Sequence, residues 1–113
     1  MMRLAIVGSR SFADHALLDE SLAEYLGMVD LVVSGGAQGA DRMGEDWARR
    51  HGIATRIFFP EMTKHRHPFH ARNREIVEAC DSLIAFWNGR SSGTRYTIDY
   101  ARRRGKPVRI VRF

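Results

Sequence analysis

This sequence has little of what extracellular, membrane-embedded or disordered chains depend on. Cysteine occurs once, at Cys80, so no internal disulfide can form and a reducing compartment, the cytoplasm, is expected. No apolar run approaches the roughly 18 residues of a membrane span, so no membrane partner is expected. The opening "MMRLAIVGSR" runs into a glycine turn where a signal peptide would carry a cleavage site, and it reads as a first strand. Nothing repeats at a fixed period, and no segment is of low complexity. Lysine is nearly absent. Of 18 basic residues 16 are arginine, the better fork for phosphate and carboxylate, against 13 acidic residues. The net charge of +5 permits nucleotide or nucleic-acid partners without specifying either. With 44% hydrophobic and 27% charged residues, the 113 residues are read as one globular domain, 1–113.

Strand-like and helix-like segments alternate along the chain. "RLAIVG", "VDLVVS", "IATRIFF", "DSLIAFW" and "PVRIVRF" are short apolar runs. Between them, "DHALLDESLAEYLG" starts at a candidate cap, Asp14, carries Leu18, Leu22, Tyr25 and Leu26 on one face, and stops at Gly27. "ADRMGEDWARRHG" turns Met43, Trp47 and Ala48 inward, with Gly44 letting it lie close to a sheet. "PFHARNREIVEAC" shows a stripe of Phe69, Ile76, Val77 and Cys80, and "TRYTIDYARRRG" is the fourth helix. Five apolar strands separated by four helices predict an α/β domain of three layers around a five-stranded parallel sheet.

The two kinds of connection differ in chemistry. Helix-to-strand links ("GMVD", "HGIA", "ACDS", "RGKPV") are terse, whereas strand-to-helix links are long or rich in Gly, Ser and Arg. In a parallel sheet all strand-to-helix loops lie at the carboxyl edge, where open α/β sheets bind ligands. The first, "GSR", offers Gly8, Ser9 and Arg10, with Arg10 able to clamp an anion. The second, "SGGAQGAD", has Ser34 and then three glycines in five positions. Gly35 and Gly36 are expected to turn the chain off its strand, Gly39 to let it approach a ligand, and Asp41 to cap the helix. In "NGRSSGT", Gly89 and Gly93 are expected to permit the turn, Ser91 and Ser92 to add hydroxyls, and Thr94 to cap. "HARNREI" places Arg72 and Asn73 in the early turns of the third helix, facing the same edge. These residues, Gly8 to Arg10, Ser34 to Gly36, Gly39, Asp41, Arg72, Asn73 and Ser92 to Thr94, form the expected ligand site. His65, His67 and His70 match no metal-ligand spacing; a basic lid is expected there and no metal.

In this order "GSRSF", "SGGAQGADRMGEDWA", "RNREI" and "FWNGRSSGT…GKPV" resemble the SLOG superfamily, named for the Smf/DprA DNA-processing proteins and the LOG cytokinin-activating enzymes. Within it they resemble the small YspA/cpYpsA-related family. The resemblance implies a Rossmann-like fold that binds nucleotides or nucleotide-derived ligands at the carboxyl edge. LOG enzymes cleave the N-glycosidic bond of a nucleoside monophosphate with a helix arginine and the glutamate of a GGxGTxxE motif. Arg72 looks like the arginine's counterpart and Gly93-Thr94 like the glycine-threonine pair, but Thr97 stands at the glutamate position. LOG-type activity is therefore not expected, with Asp41 and Glu45 as alternative carboxylates. The DprA relatives share "SGGA-x-G-D" and bind single-stranded DNA, and Phe12, Phe69 and Trp87 lie where stacking aromatics would be needed.

The expectation is a nucleotide-binding module of the sensor type, without a cofactor and with no catalytic residue assigned. A hydrolase acting on a nucleotide N-glycosidic or phosphate bond is the alternative, and a single-stranded nucleic-acid binder is the second alternative. Open sheet edges and helix faces predict a homo-oligomer.

Overall fold

Alternate residues of the strands enter opposite cores, and this period of two organises the molecule. The computed structural model describes residues Met1 to Phe113. Its elements are β1 (Met2–Gly8), α1 (His15–Leu22), a 3-10 turn (Ala23–Tyr25), β2 (Val29–Ser34), α2 (Ala40–Arg50), β3 (Ala54–Ile57), α3 (Pro68–Glu78), β4 (Ser82–Trp87), α4 (Ser92–Arg103) and β5 (Val108–Arg112). Leu4 and Ile6 of β1, with Ile84 and Phe86 of β4, pack against Leu18, Leu22, Met43 and Trp47 of α1 and α2. Their neighbours Ala5, Val7, Leu83 and Ala85 pack against Ile76, Val77, Ile98 and Ala101 of α3 and α4. Two helices therefore cover each face of the sheet.

All four strand pairings are parallel, in the order β3-β2-β1-β4-β5. This is a Rossmann-like α/β fold. The chain builds outward from β1 through β2 to β3, then crosses back to place β4 on the other side of β1. Strand order reverses between β1 and β4, which opens a crevice at their carboxyl ends. The "GSR", "SGGAQGAD" and "NGRSSGT" loops all leave the sheet at that edge, as the contrast between the two kinds of loop predicted. Gly44 of α2 lies on β1, where a Cβ would come within 2.5 Å of Ile6 Cγ2. No helix is long and apolar enough to cross a membrane.

Three expectations need correction. The first helix ends at Leu22, and Leu26 lies beyond it in extended backbone (ψ 130°), 44% exposed, because the 3-10 turn points Tyr25 inward instead. β3 pairs only over Ala54–Ile57, since an edge strand has a single partner; Phe58 still donates to the Ser34 carbonyl at 2.9 Å, but Phe59 is exposed. Phe69 is 43% exposed and not part of the core, because α3 begins at Pro68 and its first turn projects past the end of the sheet.

Candidate functional site

The loops after β1, β2 and β4, with the first turns of α3, enclose a cleft of about 450 Å³ at the switch point. Hydrogen bonds between loops hold its floor. Ser9 N donates to the Phe86 carbonyl at 2.9 Å, and Ser9 Oγ accepts from Asn88 N at 3.2 Å, which ties the loop after β1 to the end of β4 and the loop that follows it. Asn88 Oδ1 accepts from the amides of Arg90 (2.8 Å) and Ser91 (2.9 Å), folding "NGRSSG" into a side-chain-closed turn. Ser91 is the N-cap of α4, its Oγ accepting from Thr94 N at 3.5 Å. Thr94 is therefore in the first turn and not the cap. Its hydroxyl lies 3.1 Å from that of Ser91, and Thr97 Oγ1 donates to the Gly93 carbonyl at 3.0 Å. Gly93 also sits inside that first turn and makes no part of the bend. A Cβ on it would meet open space, and the positive φ falls on Gly89 (+83°). The amides of Ser92 and Gly93 have no acceptor within the chain, as expected for a helix start.

The glycines after β2 serve the protein's own packing. Gly39, with φ +79°, is the N-cap of α2, and a Cβ there would lie 2.5 Å from both the Ser9 and Arg10 carbonyl oxygens. Its close approach is thus to the loop after β1 and not to a ligand. Gly36 turns the chain (φ +70°) beneath Phe59 and Ile57. At Gly35 a Cβ would lie 2.8 Å from Asp41 Oδ2 and 3.0 Å from Arg72 Nη1, so the bare backbone lets the carboxyl and the guanidinium converge.

Asp41 does not cap α2. Its Oδ2 turns back to accept from Ala37 N at 3.3 Å. Burial pushes its carboxyl up to about 7, with Glu45 adding to the rise, while the Ala37 amide and the Arg72 guanidinium pull it down. It is the one carboxylate lining the cleft. Arg72 is only 7% exposed. Nη1 donates to the Gly35 carbonyl at 2.6 Å and Nε to Asn73 Oδ1 at 2.8 Å, while Nη2 has no partner in the chain. Burial lowers the Arg72 pKa, nearby Arg10 adds to that, and Asp41 opposes it. Arg10 is exposed and makes no hydrogen bond.

Of the expected site residues, Gly8, Ser9, Arg10, Asp41, Arg72, Asn73, Gly93 and Thr94 line the cleft. Ser34, Gly35, Gly36, Gly39 and Ser92 do not. Ser34 is fully buried behind the loop, where its Oγ donates to Glu45 Oε2 at 2.6 Å. Asn88, Ser91 and Thr97 line the cleft without having been assigned to it. Asn88 carried a signal, as an Asn-Gly pair closing an apolar strand. None of the three histidines lines the cleft. His70 stacks on Tyr96, ring centroids 4.0 Å apart, and His65 faces a second hollow with Arg56 and Phe58.

Comparison with known proteins agrees with this fold. The sequence profile of YAcAr, the YspA, cpYpsA-related SLOG family, matches residues 2–65. The Gene 61 protein of Mycobacterium phage D29 is 37% identical over 123 residues, covering 96% of this chain and 94% of that protein. Among solved structures, DNA processing protein A (DprA) from Streptococcus pneumoniae superposes with a TM-score of 0.79 at 24% identity, over 96% of this chain. This chain spans about half of DprA, 49% of its length. The structural-genomics target TM1055 superposes with a TM-score of 0.71 at 21% identity, over 96% of this chain and 72% of that one. Both likenesses concern the fold. By its profile match and its phage relative, the chain belongs to the YspA, cpYpsA-related SLOG family.

Proposed function

We propose that the cleft binds a nucleotide or nucleotide derivative through its phosphate. The observation that carries this reading is the free Nη2 of buried Arg72, in a side chain that lines the same cleft as the start of α4. Two of the three guanidinium nitrogens are held by partners in the chain, and the accessible third is a charge-assisted donor for which a bound anion is the natural complement. The unpaired amide of Gly93 adds an N–H donor at the positive end of a twelve-residue helix, and exposed Arg10 adds a second cation. The family membership agrees with a nucleotide-related ligand.

One observation favours hydrolysis as a second reading. Asp41, pushed up to about 7, is half protonated near neutrality, which suits a general acid. Water would add to the anomeric carbon as the carbon–nitrogen bond breaks. The base would leave with the Asp41 proton, and the added water would return one to Asp41. The experiment is calorimetric titration with nucleoside monophosphates, NAD and ADP-ribose, with released base followed by chromatography. Saturable binding that inorganic phosphate competes away supports the first reading, and base release lost in Asp41→Asn adds the second. Absence of binding by every ligand rejects both. Affinity that grows with oligonucleotide length and falls steeply with salt would assign the cleft to single-stranded nucleic acid instead.

A further inference from the structure

Phe69 is the one large apolar side chain that the cleft leaves uncovered. It is 43% exposed, yet it lines a cleft made mostly of hydroxyls, amides and guanidinium groups. Scattered exposed apolar residues are ordinary on protein surfaces, so exposure alone carries nothing. Its surroundings are what distinguish this one. The Arg72 guanidinium carbon lies 5.8 Å from the ring centroid and that of Arg10 lies 6.0 Å away. At that range cation–π attraction is at its limit, and the exposed part of the ring is free to meet a ligand.

The ring is also firmly presented. Pro68 opens α3, Phe69 follows it, and Arg72 stands three residues on, on the same helix face. The bond from Arg72 to the Gly35 carbonyl pins that turn to the loop after β2. A flat apolar surface is thus fixed beside two cations. Inorganic phosphate, sugar phosphates and carboxylates would use the cations and leave the ring in water. A nucleoside monophosphate satisfies both, its phosphate at the guanidinium groups and its base over the ring, one ribose apart. A cleft of about 450 Å³ suits one such molecule, within the range usual for small-ligand sites.

From this we infer that Phe69 is a stacking platform for a nucleobase, and that the cleft selects nucleoside monophosphates over base-free phosphates. The inference rests on the phosphate-binding reading above and adds the recognition of the base.

The test compares the tightest of AMP, GMP, CMP and UMP with ribose 5-phosphate, by calorimetry on the full chain. Base–aromatic stacking corresponds to a preference of roughly five- to a hundred-fold for the nucleotide. Phe69→Ala should reduce that preference to about two-fold or less, with ribose 5-phosphate affinity unchanged. Phe69→Trp should keep the preference, and its indole emission should be quenched by the nucleotide and not by ribose 5-phosphate. Thermal melts of both variants check folding, and Phe69→Leu, which keeps apolar bulk without a π-face, should behave as Phe69→Ala does. Equal affinity for nucleotide and sugar phosphate in the unaltered protein overturns the platform and leaves the phosphate site standing. So does a preference that survives Phe69→Ala. If neither probe binds, the phosphate reading fails and the platform fails with it.

Discussion

Arg72 and Gly35 are joined across 37 residues of sequence: Arg72 Nη1 donates to the Gly35 carbonyl at 2.6 Å, fastening α3 to the loop that leaves β2. The absent side chain makes the approach possible, since a Cβ on Gly35 would stand 3.0 Å from that nitrogen. Arg72 is therefore a structural residue as well as a cleft residue. Arg72→Ala should lower stability by about 1.5–3 kcal/mol, the usual worth of a hydrogen bond to a charged group. At about 4 °C per kcal/mol for a chain of this size, thermal melts will resolve the loss. An unchanged midpoint would mean that the bond contributes nothing to folding.

Asp41 makes stability depend on pH in an unusual direction. Its carboxyl titrates near 7 in the folded chain and near the ordinary aspartate value when unfolded. Between those values the folded state holds the extra proton, so stability falls as pH rises through the window from about 4 to about 7. Asp41→Asn keeps an acceptor for the Ala37 amide and removes the titration. It should flatten that fall, as read from urea midpoints at pH 5 and pH 7.5. Asp81, held at about 2 by Arg3, completes its titration below this window and does not mask the effect. A wild-type midpoint that rises from pH 5 to pH 7.5 would contradict the assignment.

Gly39 and Gly93 should respond oppositely to the same substitution. Gly39→Ala drives a methyl toward two carbonyl oxygens at a φ that L-residues avoid, and should cost at least about 1–3 kcal/mol. Gly93→Ala enters open space in the first turn of α4 and should be neutral or stabilise by up to about 1 kcal/mol. Melts of the two variants side by side decide the matter. A tolerated Gly39→Ala would mean that the loops after β1 and β2 are not packed as described.

Layering, strand direction and the shared edge of the loops were all legible in the sequence, because apolar runs of β1, β2 and β4 leave no other way to bury both sheet faces. The site was legible only in outline. Ser34 and Arg10 are both polar residues beside a strand end, yet Ser34 points into a buried bond with Glu45 while Arg10 reaches into the cleft. Ser34 ends β2, so the register of its pairing decides which way it faces, whereas Arg10 lies two residues beyond β1 in a turn, where no alternation applies. Phe69 read as core because its spacing to Ile76 fits one helix face. How far α3 projects beyond the sheet depends on the length of the preceding loop, which spacing within the helix does not encode.

Ser34 separates stability from binding in one direction. Ser34→Ala leaves the buried Glu45 carboxyl without its hydroxyl partner, and should cost about 1–3 kcal/mol. Nucleotide affinity of the folded fraction should not change, because the side chain does not reach the cleft. Urea titration and calorimetry on the same preparation supply both numbers. A binding defect with normal stability would return Ser34 to the site.

Arg10 separates them in the other. Its side chain is exposed and bonded to nothing in the chain, so Arg10→Ala should leave stability within about 0.5 kcal/mol of the parent. The same side chain lines the cleft together with the start of α4, where a phosphate would need a second cation. Losing one charge-assisted bond to that phosphate corresponds to about 1.5–3 kcal/mol, or roughly ten- to a hundred-fold in affinity. Arg72→Ala confounds folding with binding, whereas Arg10→Ala does not, which makes Arg10 the cleaner probe of the anion site. Calorimetry with the tightest nucleoside monophosphate, beside melts of the apo variant, gives the answer. Full affinity in Arg10→Ala would place the phosphate elsewhere in the cleft, against Arg72 and the α4 amides alone.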